Sequence, residues 1–135
     1  FDPSLPDALV DPDAMMQVLT NLLANAVDAT KHLANPEIRI VTRYSFGASL
    51  SAQGENEAIR LPIQIMVCDN GPGVPPELER EIFSAFVSTK KEGQGLGLAL
   101  VKKLMRDMNG RIRYDRENQH EMSRFTLFLP VAPKN

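Results

Sequence analysis

Between Asp11 and His32 the apolar positions recur at helical spacing. Met15, Leu19, Leu22, Leu23 and Ala26 share one broad face at about 100° per residue, which predicts an amphipathic helix with that face buried. Asp11-Pro12 supplies its start: a capping carboxylate, then proline at the first helical position. The other side is unusual. Gln17, Asn21, Asn25 and Asp28 fall within an arc of roughly 80°, and most of them are neutral amides. Solvent faces are normally rich in Lys, Glu and Arg, and amides are indifferent helix formers. Such a row either lines a site for a polar ligand, water or a hydrated metal, or is chance variation on a wet surface.

The rest of the chain alternates between two periods. Pro3 and Pro6 keep residues 1–10 extended. Glu37 to Phe46 alternates and is β-branched, a strand; Gly47 to Asn56 is Gly-, Ser- and Ala-rich, a flexible hairpin tip; Ala58 to Cys68 is a second strand. Its end, Ile65-Met66-Val67-Cys68, is apolar on both sides, as in a central strand. Gly71, Pro72 and Gly73 force a turn, Pro75-Pro76-Glu77 starts a short helix to about Phe83, and residues 84–94 have no period and read as a mobile loop. Gly95 to Asn109 is a second long helix, with Leu96, Leu98, Leu100, Val101, Leu104 and Met105 as its apolar face and Gly110 as its stop. Arg111–Arg116 and Arg124–Val131 are strands joined by a polar turn at Glu117–Glu121. Short links predict antiparallel pairing of strands adjacent in sequence, with both long helices on one face: an α/β sandwich rather than a doubly wound fold.

Composition narrows the function. At 135 residues, 43% hydrophobic and 24% charged, the chain is sized for one soluble domain with a real core. A net charge of −2 gives no reason to expect nucleic acid. No apolar run reaches membrane-spanning length, so no membrane contact by this domain is expected. Cys68 is the sole cysteine, which excludes a disulfide framework and a cysteine metal site and fits a reducing, cytoplasmic compartment. A chain opening FDPSLPDALV reads as a fragment of something longer, a single domain over 1–135. Cys68 and the six Met are expected in packing, Phe83 and Phe86 as anchors at the loop base, and His32 and His120 as plain surface residues.

Two further segments carry chemistry. Gly93 to Leu100, GQGLGLAL, is a Gly-rich loop running into a helix, where backbone N–H groups and the helix N-terminus favour an anion; Lys90 and Lys91 lie just upstream. A loop glycine more often only supplies a turn. Asp69 to Gly73, DNGPG, sets a carboxylate at the end of a buried strand before a turn bare of side chains. A fixed acceptor there can read an exocyclic amine and reject ligands lacking one; the plain alternative is an ordinary Asn-Gly turn.

Taken together the segments resemble a family. QVLTNLLANA is similar to the N box, DNGPG to the first glycine box and GQGLGLAL to the second glycine box of the GHKL superfamily, with EIFSAF (Glu81 to Phe86) similar to the F box between them. The resemblance runs from about Phe1 to Val131. It implies the Bergerat ATP-binding fold: a mixed, mostly antiparallel sheet with about three helices on one face. Members that hydrolyse ATP carry Glu where this chain has Asn21, an amide that cannot act as a base near neutral pH. The N box therefore looks like that of the sensor histidine kinases, whose ATP-binding catalytic domain passes the γ-phosphate to a histidine on a separate dimerisation domain.

On that resemblance Asn25 ligates Mg²⁺, with Asn21 and Gln17 assisting catalytically around the phosphates and metal waters. Asp69 binds the adenine amine, with Gly71 and Gly73 making room for the ring. Gly93, Gly95, Leu96 and Gly97 shape the lid and its phosphate contacts. Asp28 stands where many sensor kinases have a basic residue, leaving Lys31, Lys90 or Lys91 to supply the charge. The last box reads Met122-Ser123 instead of Gly-Thr, so Ser123 replaces the hydroxyl and the glycine is lost. FDPSLP, KKEGQGLGL and FTLFLP are similar to segments of the NtrB-type nitrogen-regulation kinases, a resemblance that implies a response regulator as partner, and a PII signalling protein as a candidate docking partner. A nucleotide-gated docking module for such a regulator, and a GHKL ATPase, are the alternatives.

Overall fold

A computed structural model of the chain describes residues 11–44, 49–51, 58–83, 97–119 and 121–131. Helix α1 spans Pro12–Thr30. Its N-cap is Asp11, whose Oδ1 accepts from the Asp13 and Ala14 amides at 3.0 and 3.4 Å, occupying two of the donors a helix start leaves orphaned. Strands β1 (Ile38–Tyr44), β2 (Ser49–Ser51), β3 (Ala58–Arg60) and β4 (Ile63–Asp69) follow, then a 3-10 turn at Pro76–Leu78. Helix α2 (Gly97–Asp107) leads into β5 (Arg111–Glu117) and β6 (Met122–Leu129).

The main sheet has the order β1-β4-β6-β5, with β2 and β3 forming a separate two-stranded ribbon. Every pairing among the described residues is antiparallel. The segment expected as one strand from Ala58 to Cys68 is broken at Leu61-Pro62. Proline has no N–H to give a ladder, so the chain leaves the ribbon there and re-enters the sheet as β4. Part of the expected hairpin tip, Ser49–Ser51, is itself β2. The short helix expected after Pro75 is a single 3-10 turn, so among the described residues the helix layer consists of α1, α2 and that turn.

β4 is central, as its two-sided apolar sequence predicted, flanked by β1 and β6. Ile63 and Val67 face the helices with Phe125, Leu127 and Leu129 of β6. Against them α1 lays Met15, Val18, Leu22 and Ala26, and α2 lays Val101 and Met105. Val18, outside the expected apolar face, is fully buried, while Leu19 and Leu23 pack at its margin. The buried stripe is therefore turned slightly from the one drawn on the sequence. Met16 is 67% exposed and Leu100 39% exposed, so neither belongs to the core; the other five methionines are buried. Phe83 lies edge-on to Phe125 at 6.2 Å, an anchor as expected. Phe86, His120 and residues 1–10 lie outside the described residues; His32 is exposed.

α2 ends in a Schellman cap. Asn109 takes the left-handed conformation (φ 61°) that the sequence assigned to the following glycine. The Asn109 amide donates to Arg106 O at 2.9 Å and the Gly110 amide to Met105 O at 2.8 Å. Gly110 is required for another reason: a Cβ there would lie 2.5 Å from the Phe128 carbonyl oxygen.

Candidate functional site

The amide row lies on the flank of α1 that faces α2. Gln17 Nε2 donates to Asn21 Oδ1 at 3.3 Å, and Asn21 Nδ2 donates to the carbonyl oxygen of Gly97, the first residue of α2, at 3.4 Å. Asn21 thus joins the two helices where the Gly-rich segment enters α2. Asn25 is half-buried one turn further on. Asp28 pairs with Lys31 at 3.7 Å on the exposed end of the same flank.

The DNGPG turn meets the other end of α1. Asp69 closes β4 on the helix-facing side and is only 5% exposed. Its Oδ1 accepts from the Gly71 amide at 2.9 Å. A Cβ on Gly71 would lie 2.7 Å from Ala29 O, so the turn presses its backbone against the last turn of α1, as only glycine allows. Gly73 has φ +79°, and a Cβ there would crowd Arg116, Ser123 and Tyr114. Asn70 is occupied structurally: it accepts from the Glu37 amide at 2.8 Å and donates to Asn35 O at 2.9 Å, pinning the turn to the start of β1. From Asn21 to Ala29 the helix axis advances about 12 Å, so the amide row spans from the α2 contact to the glycine turn.

Burial pushes the Asp69 carboxyl up from the usual range, while the Gly71 amide and the Arg116 charge hold it down. Ser123 is buried opposite Asp69 in the β4–β6 register. Its hydroxyl accepts from Arg116 Nη1 at 2.9 Å and from the Tyr114 hydroxyl at 3.3 Å. Tyr114 in turn accepts from the Val74 amide at 3.0 Å.

The structure therefore brings Gln17, Asn21 and Gly97 together at one end, and Asp69, Gly71, Gly73 and Ser123 at the other. Lys90, Lys91, Gly93, Gly95 and Leu96 lie outside the described residues. Tyr114 and Arg116 were missed by sequence reasoning. The available signal was their alternation: Ile112, Tyr114 and Arg116 share the core face of β5, and a charge on a core face calls for a partner. Among the described residues no group of three or more His, Cys, Asp or Glu is placed to hold a metal ion. A metal here would need amide and phosphate oxygens, which Asn25 fits as a hard oxygen donor. Gly71 and Gly73 pack so tightly against α1 and against Arg116, Ser123 and Tyr114 that the turn presents bare backbone beside Asp69.

Residues 10–133 match the family model of the histidine kinase-, DNA gyrase B- and HSP90-like ATPases. The chain is 42% identical over 132 residues to the sensory histidine kinase/phosphatase NtrB of Rhizobium meliloti, covering 98% of this chain and 34% of that protein. It is 42% identical to the NtrB of Rhodobacter capsulatus, again covering 99% of this chain and 36% of the relative. The chain thus spans about a third of the length of the curated relatives it matches. Among solved structures, the catalytic domain of the histidine kinase ThkA superposes with a TM-score of 0.65 at 32% identity, covering 90% of this chain and 68% of that one. Full-length ShkA in complex with AMPPNP superposes at 0.73 with 30% identity, covering 96% of this chain and 24% of that one. With the motif order and the sandwich fold in agreement, the chain belongs to the HATPase_c family, among the ATP-binding catalytic domains of the histidine kinases.

Proposed function

We propose that the domain holds Mg·ATP between the amide face of α1 and the Asp69–Gly73 turn, and presents the γ-phosphate to a histidine on the kinase's separate dimerisation domain. The observation that carries this reading is the pairing of a buried acceptor, Asp69, with two glycines whose backbone leaves no room for a Cβ, at one end of a helix flank lined with amides. The exocyclic amine of adenine donates to Asp69; the triphosphate runs toward Asn25, Asn21 and the start of α2. Asn25 would supply an oxygen to the metal, which would offset the negative charge of the phosphates. Gln17 and Asn21 hydrogen-bond each other and fix the flank's geometry. Lys90 and Lys91 add positive charge, and Gly93, Gly95, Leu96 and Gly97 contribute the lid. Ser123 stands in for the hydroxyl of the last box.

Where the hydrolysing members carry Glu this chain has Asn21, an amide and no base at neutral pH, and Gln17 and Asn25 beside it are amides too. That favours transfer to an external nucleophile over activation of water. Positioning and charge neutralisation are then the domain's whole contribution. The phosphoryl bond to the ADP oxygen breaks as the bond to the partner histidine nitrogen forms. By similarity to NtrB, the phosphate moves on to a response regulator in nitrogen regulation, in the cytoplasm, and a PII-type protein docks on the domain in a nucleotide-dependent way.

The test combines the domain, its histidine-bearing partner domain and γ-labelled ATP. Label on the partner histidine is expected, lost in Asn25→Ala without loss of the fold. Nucleotide binding with no label on the partner would contradict the kinase reading. Steady phosphate release by the isolated chain, abolished in Asn21→Ala, would favour a hydrolase instead.

A further inference from the structure

Edge strand β5 reaches across β6 to the glycine turn. Arg116 faces Ser123 in the β5–β6 register. Its Nη1 donates both to Ser123 Oγ at 2.9 Å and to the Gly71 carbonyl oxygen at 3.0 Å, and its Nη2 donates to Glu121 O at 3.2 Å. The guanidinium is thus forked between the turn that follows β4 and the turn that precedes β6. Gly71 is the same residue whose amide donates to Asp69, so only its Cα separates the peptide unit the arginine holds from the one the carboxylate holds. We propose that Arg116 is a positioning residue of the base-reading end of the site: by tying Gly71 to Ser123 it fixes Asp69 and sets a preference for a 6-aminopurine over a 6-oxopurine nucleotide. This rests on the assignment of Asp69 to the purine.

Two physical effects act together. The first is geometric. With Arg116 and Tyr114 both donating to it, the Ser123 hydroxyl has its two acceptor positions filled and its single hydrogen free to donate. A turn held from three directions cannot back away from the ligand. The second is charge. Arg116 is the cation that acts on Asp69 and opposes the effect of burial. The other elements packed against Asp69 bring neutral residues: Ser123 from β6, Ile38 from β1, and Ala29 of α1 against the adjoining Gly71. Without the arginine the carboxyl takes up a proton at higher pH, and a protonated carboxyl offers a donor where the amine needs an acceptor. A 6-oxopurine would then be accepted more readily.

The experiment measures dissociation constants of the domain for Mg·ATP and Mg·ITP from acid to neutral pH, in wild type, Arg116→Met, Arg116→Lys and Asp69→Asn. Arg116→Met is expected to lower the ATP-over-ITP preference about tenfold, the size of a lost charge-assisted hydrogen bond, and to move the acid limb of ATP binding to higher pH. Arg116→Lys keeps the charge without the fork; it should keep the acid limb and lose part of the preference. Equal losses for both nucleotides, or an unmoved preference and limb in Arg116→Met, would overturn the proposal and leave Arg116 a structural residue. If Arg116→Met does not fold, wild-type preference in Arg116→Lys overturns it. Asp69→Asn separates the two claims. A preference unchanged in Asp69→Asn refutes the purine assignment itself, whereas a change in Asp69→Asn but in neither arginine variant refutes only the role of Arg116.

Discussion

Asp69, proposed above as the acceptor for the base, is buried at a cost to stability. Burial raises its carboxyl above the ordinary value, so the folded chain binds that proton more tightly than the unfolded one. Between the ordinary carboxylate value and the raised one, stability contributed by this group falls as pH rises. Above both, the ionised carboxylate is a net penalty on the fold. Asp69→Asn removes that penalty while keeping an oxygen for the Gly71 amide. Its thermal midpoint at neutral pH is expected at or above wild type, with ATP affinity reduced and discrimination against ITP lost; calorimetry and titration of the same sample check both. A lower midpoint with unchanged affinity would contradict the role given to Asp69. At this scale the sequence showed Asp69, Gly71 and Gly73 because backbone demands leave a local signature. It could not show Tyr114 and Arg116, whose partners are supplied by register across β6.

The helices carry the site by opposite faces of the same residues' spacing. Val18, Leu22 and Ala26 bury α1 on β4 while Gln17, Asn21 and Asn25 stay on the flank. Asn21 connects α1 to α2 through the Gly97 carbonyl. Asn21→Ala should leave the fold intact, since the bond is exposed and worth about 1 kcal/mol. Phosphotransfer to the partner histidine should fall more than ATP affinity does, because the start of α2 loses its tether; parallel binding and transfer assays distinguish the two. α2 itself depends on Gly110. Gly110→Ala would push a methyl group into Phe128 O, 2.5 Å away, and is expected to destabilise the domain by about 1–3 kcal/mol in urea titration. Element boundaries were legible where caps and prolines mark them, as at Asp11-Pro12. They were misread where a single residue intervenes, as at Pro62, or where Asn109 rather than Gly110 adopts the left-handed turn.

For the molecule as a whole, the sheet order sets the distance between the two ends of the site. β4 and β6 are neighbours though far apart in sequence, and that adjacency sets Ser123 beside Asp69. Sequence-adjacent pairing alone gives β5 with β6 and leaves β4–β6 unseen, which is why the sandwich was legible but the floor of the site was not. α1 lies across β4, joining this floor to the start of α2. The central claim is that one nucleotide spans both ends. The most direct measurement is the location of a non-hydrolysable ATP analogue bound with Mg²⁺ in a crystal of the domain. The base amine is expected on Asp69, the metal at Asn25 and the terminal phosphate near the start of α2. An analogue bound away from the amide face of α1, or with its base directed away from Asp69, would contradict it.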